Sequence, residues 1–386
     1  MRDRQKKFAA ASGFASSSKR KMFLTVAAIL CITSAALAQG NAPARQAPSA
    51  APPANTWRFA VSGDSRNCGD VVMPGIAAGV RRDQAEFYWH LGDFRAIYDF
   101  DEDILHQPEH LGKPLVIADY ETLAWPDFID NQLAAFGSLP VFLALGNHEI
   151  VPPKTREEAL PQFADWFNAP AIARQRIIDD PHDHRMKTYY HWIERGVAFY
   201  TLDNSTPDQF DLAQMNWLLR TLAQDSANPA VTTLVVGMHE ALPDSIAADR
   251  SMNSFAAGTE SGRHAYAALL RVQNEAHKRV YVLASHSHYF MDGIFNTEYL
   301  RAHGGVLPGW IVGTAGAVRY ALPPNARDAH TAETNVYGYL LGTVSPSGEI
   351  RFDFKRLTEK DVPAPITNRY KSAFVHWCFA ENSQAR

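Results

Sequence analysis

Residues 86–94 read EFYWHLGDF, an apolar run of β character that ends in Gly92-Asp93. The same construction recurs on either side of it. Residues 57–67, WRFAVSGDSRN, end their run at Gly63-Asp64, and residues 140–149, PVFLALGNHE, end theirs at Gly146-Asn147-His148-Glu149. Farther along, TTLVVGMHE (232–240) stops at His239, and VYVLASHSHY (280–289) stops at His286 and His288. Short apolar runs closed by glycine read as buried strands. Each of the five delivers a metal-competent side chain at its carboxyl end, where open α/β sheets place their ligand sites. Taken singly each signal is weak, because Gly-Asp after a strand is ordinary turn chemistry and a lone buried histidine is ordinarily a hydrogen-bonded core residue. The shared order of the five is what carries weight.

The rest of the chain supports that frame. Strands are expected at 57–62, 86–91, 140–145, 197–202, 231–237 and 280–284, and helices at 72–83, 121–136, 211–224 and 260–277. In the last of these, Ala265, Leu269, Val272 and Ala276 fall at helical spacing. The alternation predicts an α/β architecture with helices covering sheet faces. Three later runs, 308–314, 336–345 and 349–356, are separated by Gly and Pro turns, with Pro346-Ser347-Gly348-Glu349 as a hairpin turn. They are expected to pair as neighbours in a second sheet. Neither an internal repeat nor a heptad is present, so one domain over 57–358 followed by a tail at 359–386 is the simplest organisation.

The amino-terminal segment reads differently. Lys19, Arg20 and Lys21 precede an apolar run from Met22 to Leu37, and Ala36-Leu37-Ala38 has the small-x-small form of a signal-peptidase site. Residues 1–38 are therefore expected to be a signal peptide and 39–56 an Ala/Pro-rich disordered linker. The run is about 16 residues against roughly 20 for a membrane span, and an uncleaved anchor is the alternative. Met22 is an alternative start. The protein is expected to be exported, periplasmic or secreted, with no stable membrane span after cleavage. Cleavage would leave Cys68 and Cys378, which in an oxidising compartment form one disulfide or stay as two separate buried thiols. A net charge of -4 gives no electrostatic grip on nucleic acid or anionic lipid.

The order GD, GD, GNHE, H, HxH resembles the calcineurin-like metallophosphoesterase family from Trp57 to Leu357. Phe199-Tyr200-Thr201-Leu202-Asp203, Gln214 with Trp217-Leu218, and Gly313-Thr314-Ala315-Gly316 are also similar to it. The resemblance implies a two-sheet β-sandwich flanked by helices and a centre holding one or two divalent ions. It implies that Asp93 bridges two ions, that Asp64 and His288 complete one site, and that Asn147, His239 and His286 complete the other. Such a donor set suits Mn, Fe, Zn or Co without choosing among them. His148 would be the general acid of a hydrolysis driven by metal-activated water. Glu149 either orients His148 or caps a helix. A small phosphorylated substrate, mono- or diester, is the implied partner.

One position departs from the family pattern. Where Asp-x-His is usual, the sequence has Asp64-Ser65-Arg66, and arginine has no lone pair to give a metal. The tyrosine that purple acid phosphatases place three residues after the second Asp is Ala96 here, with Tyr98 nearby. The first site is then short of a ligand, or empty, or completed by another residue. Arg66 is expected to grip substrate phosphate through its planar fork, with a structural salt bridge as the alternative. The acidic stretch Asp99, Asp101, Glu102 and Asp103, and the segment 179–184, are expected to be solvated loops flanking the site, the alternatives being an added carboxylate ligand for the first and a pocket-lining or accessory-metal role for the second. A non-catalytic metal- or phosphate-binding module is the second functional reading. No GxSxG elbow, dinucleotide fingerprint or P-loop occurs, so neither a serine hydrolase, a nicotinamide cofactor nor ATP is implied.

Overall fold

The computed structural model describes residues 56–205, 209–247 and 250–384. The expected signal peptide and all but the last residue of the expected linker lie outside them. Among the described residues, twelve strands form two sheets. The first has the order β12-β11-β1-β2-β3, built from β1 (Trp57–Ser62), β2 (Tyr88–His90), β3 (Val141–Leu143), β11 (Tyr337–Val344) and β12 (Ile350–Leu357). The second has the order β10-β8-β9-β7-β6-β5-β4. Its strands are β4 (Tyr190–Glu194), β5 (Val197–Thr201), β6 (Thr233–Gly237), β7 (Arg279–Ala284), β8 (Phe290–Asp292), β9 (Gly309–Val312) and β10 (Thr331–Glu333).

β1, β2 and β3 are parallel, as are β5, β6, β7 and β9. Buried on both faces, they are the near-continuous apolar runs that the sequence displays. An aromatic layer fills the space between the sheets. Phe59 of β1 meets Phe199 of β5 edge-on at 5.0 Å, and Phe142 of β3 stacks on Trp192 of β4 at 4.0 Å. Trp89 of β2 lies over Gly237 of β6, and any side chain there would collide with the indole. Helix α1 (Gly69–Arg82) covers the outer face of the first sheet, touching β11 and β12. The helices Leu212–Ala227 and Ala256–Glu275 cover the second, packing Leu218, Leu222, Ala265 and Leu269 into its outer core. The architecture is the expected α/β sandwich of two sheets flanked by helices.

Two expectations are corrected. The last three apolar runs do not pair as neighbours in one sheet. The 336–345 and 349–356 runs form the β11–β12 hairpin, which joins the first sheet through antiparallel pairing of β11 with β1. The 308–314 run becomes β9, held between β7 and β8 in the second sheet. Of the acidic stretch after Asp93, Asp99 is exposed and Glu102 partly so, but Asp101 and Asp103 are not solvated. Asp101 and Asp103 are fully buried, and together with Asp70 and Asp127 they surround the buried guanidinium of Arg95. Asp101 also accepts the backbone N–H of Asn67 and Ala96 and the hydroxyl of Tyr120.

Residues after Leu357 continue into two short helices, Ala364–Tyr370 and Ser372–Ala380, the first packed on α1. Cys378 in the second is disulfide-bonded to Cys68, the residue preceding α1. Of the two possibilities the sequence left open, the bond is the one formed. Among the described residues no helix is long and apolar enough to cross a membrane.

Candidate metal centre

The carboxyl edges of the two sheets meet at one place. From the first sheet, the turns after β1, β2 and β3 bring Asp64, Asp93 and Asn147-His148. From the second, the turns after β6 and β7 bring His239, His286 and His288. All six residues expected to hold metal converge there, with His148 and Arg66 beside them.

The convergence demands unusual backbone. Asp64, Asp93 and His286 have φ of 61°, 60° and 61°, a left-handed conformation that costs a non-glycine residue about 1–3 kcal/mol. Surrounding contacts hold them in it. The Asp64 and Ser65 N–H groups donate to Gly92 O and Asp93 O, locking the first two turns together. Gly92, at φ 92°, lies against the Gly146 backbone so closely that a Cβ would strike it, which lets the second and third turns abut. Glu149 fastens that junction. Its carboxylate accepts the N–H of Asp93 at 2.9 Å, of Phe94 at 2.8 Å and of Gly146 at 2.7 Å. Of the two roles open for Glu149, the capping one is realised.

Two groups of donors lie within 4.8 Å of one another: Asp93, His239 and His286, and Asp64, Asp93 and His288. In the first, His239 Nε2 stands 3.3 Å from Asp93 Oδ1, 3.0 Å from Asn147 Oδ1 and 3.0 Å from His286 Nδ1. Ligand atoms about 2.1 Å from an ion in a tetrahedral array stand about 3.4 Å apart, so this spacing suits a common ion. In the second group, His288 Nε2 is 3.1 Å from Asp64 Oδ1.

Ring orientations are fixed by outer hydrogen bonds. His239 Nδ1–H donates to Leu91 O at 2.9 Å, and His288 Nδ1–H to Val318 O at 2.6 Å. Each therefore turns an Nε2 lone pair inward, the arrangement that metal-binding histidines require. Asp64 Oδ1 and Asp93 Oδ2 are buried without a hydrogen-bond partner, a costly state for a carboxylate unless a cation joins it. The donor set fits a divalent ion on these grounds.

Electrostatics agree. Burial pulls the His286 imidazole down to about 3, with the charge of His239 adding to it, and it presents a neutral ring. Burial likewise lowers His288. For Asp93, burial works upward but is outweighed by His148, His239 and Arg66, so the carboxyl stays well below its ordinary range. His148 gives Nδ1–H to Ala96 O at 2.6 Å and directs Nε2 to a point 3.7 Å from Asp93 Oδ2.

Sequence reasoning noted Tyr98 only as a nearby tyrosine and missed Tyr320 and Asn204. Tyr320 stacks on His288 with ring centroids 3.9 Å apart, and it follows the Gly313–Gly316 segment in no recognisable motif. Tyr98, 58% exposed, lies 5.0 Å from the His148 ring. Asn204 clamps the residue after His239 by exchanging two hydrogen bonds with the Glu240 backbone, and its place next to Asp203 was the available signal. The 179–184 segment contributes to neither donor group: Asp179 pairs with His191, and Asp183 with Arg185 and Lys187.

The family model described as calcineurin-like phosphoesterase matches residues 68–290. The chain belongs to the calcineurin-like phosphoesterase family. The span matched to this phosphoesterase model holds Asp93, Asn147, His148, His239, His286 and His288, while Asp64 and Arg66 precede it. Among solved structures, a purple acid phosphatase from yellow lupin (Lupinus luteus) seeds is similar at 15% identity and TM-score 0.54. The match covers 78% of this chain and 51% of that one, so the chain spans about half the length of the lupin phosphatase. PhoD is similar at 13% identity and TM-score 0.48, covering 80% of this chain and 73% of that one. GAP50 of Plasmodium is similar at 11% identity and TM-score 0.43, covering 85% and 96%. No curated protein matches the sequence. The lupin structure supports the calcineurin-like fold.

Proposed function

We propose that the chain is an exported, metal-dependent phosphoesterase that hydrolyses a small phosphate ester. The observation that carries this reading is the convergence of six donors from two sheets around two buried carboxylate oxygens that no hydrogen bond satisfies. A divalent ion held by Asp93, Asn147, His239 and His286, with Asp64 and His288 beside it, would polarise phosphate and activate water at neutral pH. Mn, Fe, Zn and Co all suit the donors.

The chain's own residues supply the remainder. Because His148 Nδ1–H is committed to the Ala96 carbonyl, Nε2 is the atom that would carry the proton delivered to the leaving oxygen. Arg66 points its guanidinium into the same space and offers N–H groups to non-bridging phosphate oxygens. A cavity of about 280 Å³ bordered by Arg250, Tyr289, Tyr320 and Leu322 adjoins the centre through Tyr320, room for the organic part of a small substrate. Export is supported by the apolar leader in the sequence and by the Cys68–Cys378 bond, which belongs in an oxidising compartment.

A non-catalytic metal-binding module is the competing reading, favoured by Arg66 at a ligand position. Hydrolysis of p-nitrophenyl phosphate and its bis-ester, with and without added Mn or Zn, separates the two. Turnover lost in chelator and in Asp93→Asn supports the enzyme. Bound metal with no turnover on any ester supports the module.

A further inference from the structure

At the position where the family pattern has a histidine ligand, the Arg66 guanidinium lies inside the centre. One terminal nitrogen is 3.4 Å from His288 Nε2, and Nε is 3.8 Å from Asp93 Oδ2. The side chain is only 14% exposed. His288 donates its Nδ1–H to Val318 O, so the Arg66 N–H meets the very Nε2 lone pair that an ion would need. Asp93 divides its oxygens in the same sense: Oδ1 faces His239, and Oδ2 faces Arg66 and His148.

We propose that Arg66 is a built-in cation standing in for the ion of the Asp64–Asp93–His288 half, so that the centre holds one divalent ion, on Asp93, Asn147, His239 and His286. This deepens the phosphoesterase reading and rests on it. The guanidinium cannot shed its proton, and it cannot bond a metal. A second dication bonded to His288 Nε2 would stand directly against it. One dication and one guanidinium already match the charge of Asp64, Asp93 and Glu149, and a further dication would add weakly screened repulsion in a buried site.

The side chain is held in position. Its terminal nitrogen donates to the Tyr320 hydroxyl at 3.3 Å, and the Tyr320 ring is clasped between His288 at 3.9 Å and the Arg250 guanidinium at 4.0 Å. Arg66 leaves the other half free, since none of its hydrogen bonds or ion pairs reaches Asn147, His239 or His286. Its fork would meet the phosphate oxygens that a second ion meets in a dinuclear site.

The test is metal content by elemental analysis of the purified protein after equilibration with excess Mn(II) and desalting. It is made on the wild type, Arg66→His and Arg66→Ala, with folding checked by circular dichroism. The expected result is about one ion per wild-type chain and about two in Arg66→His, with an exchange-coupled Mn(II) pair seen by electron paramagnetic resonance only in the variant. Arg66→Ala, which removes the charge without adding a ligand, should take a second ion at higher Mn(II) concentration. Two ions in the wild type would overturn the proposal while leaving the phosphoesterase reading intact. One ion in all three proteins would overturn it as well. No ion in any of them would sink the metal centre itself.

Discussion

The Glu149 carboxylate receives the backbone N–H of Asp93 at 2.9 Å, so a residue of the third turn fixes the backbone of the second. With Phe94 and Gly146 it accepts three N–H groups in a fully buried site. Glu149→Gln replaces one acceptor oxygen by an NH2 group facing a donor. The cost should be about 1–3 kcal/mol of stability for one unsatisfied N–H. Because the left-handed Asp93 is held by that contact, Mn(II) affinity should fall too. Chemical denaturation and titration calorimetry check both, and a variant with wild-type stability and affinity would remove the role.

His148 should separate chemistry from metal binding. His148→Ala is expected to keep the wild-type metal content and to lower kcat by about 10²–10⁴-fold on alkyl phosphates. The loss should be much smaller on p-nitrophenyl phosphate, whose leaving group needs little protonation. Equal losses on both substrates would assign His148 to binding instead of proton delivery.

The buried cluster around Arg95 predicts a pH dependence away from the metal. Burial outweighs the Arg95 charge at Asp103 and raises its pKa well above the ordinary value; Asp127 is raised in the same way. Raised folded values mean that folding takes up protons above a pH of about 4, so this contribution is complete at low pH and is lost as pH rises through the raised values. Asp103→Asn fixes the neutral form. The stability of the wild type relative to this variant should therefore decline as pH rises above about 4. A difference independent of pH would mean that Asp103 stays ionised.

The Cys68–Cys378 bond joins residues 310 apart in sequence and pins the last helix beside the turn that carries Arg66. Cys68 N–H also donates to Arg66 O and Gly316 O. Cys378→Ser should cost about 2–5 kcal/mol in thermal or denaturant unfolding. Reductant should destabilise the wild type by a similar amount and leave the variant unchanged.

Much of this candidate centre was legible because its donor residues close buried parallel strands, whose apolar runs are unbroken. β4, β8 and β10 were not legible. β4 (YHWIE) mixes polar residues with the Trp192 that packs between the sheets, and β8 (FMD) and β10 (TAE) offer no continuous apolar run. The β11–β12 turn could be read locally, but its sheet depended on pairing Phe59 with Gly342, a contact between distant segments. The same limit applies at the site. Asp64, Asp93, Asn147, His239, His286 and His288 announce themselves by position after a strand, whereas Tyr320 reaches His288 only through the folded path of a loop. Asp101 and Asp103 read as solvated because the cation they enclose, Arg95, counts as one more surface charge until the fold buries it.

The disulfide also imposes an order of events. If the chain is exported as proposed, Cys68 enters the oxidising compartment well ahead of Cys378. At a synthesis rate of 5–20 residues per second, the interval is on the order of 15–60 s. Through that interval Cys68, fully buried in the finished molecule beside Gly316 and Cys378, lacks both of these late neighbours and is open to wrong partners. Closure of the bond therefore marks a chain whose final helix has docked.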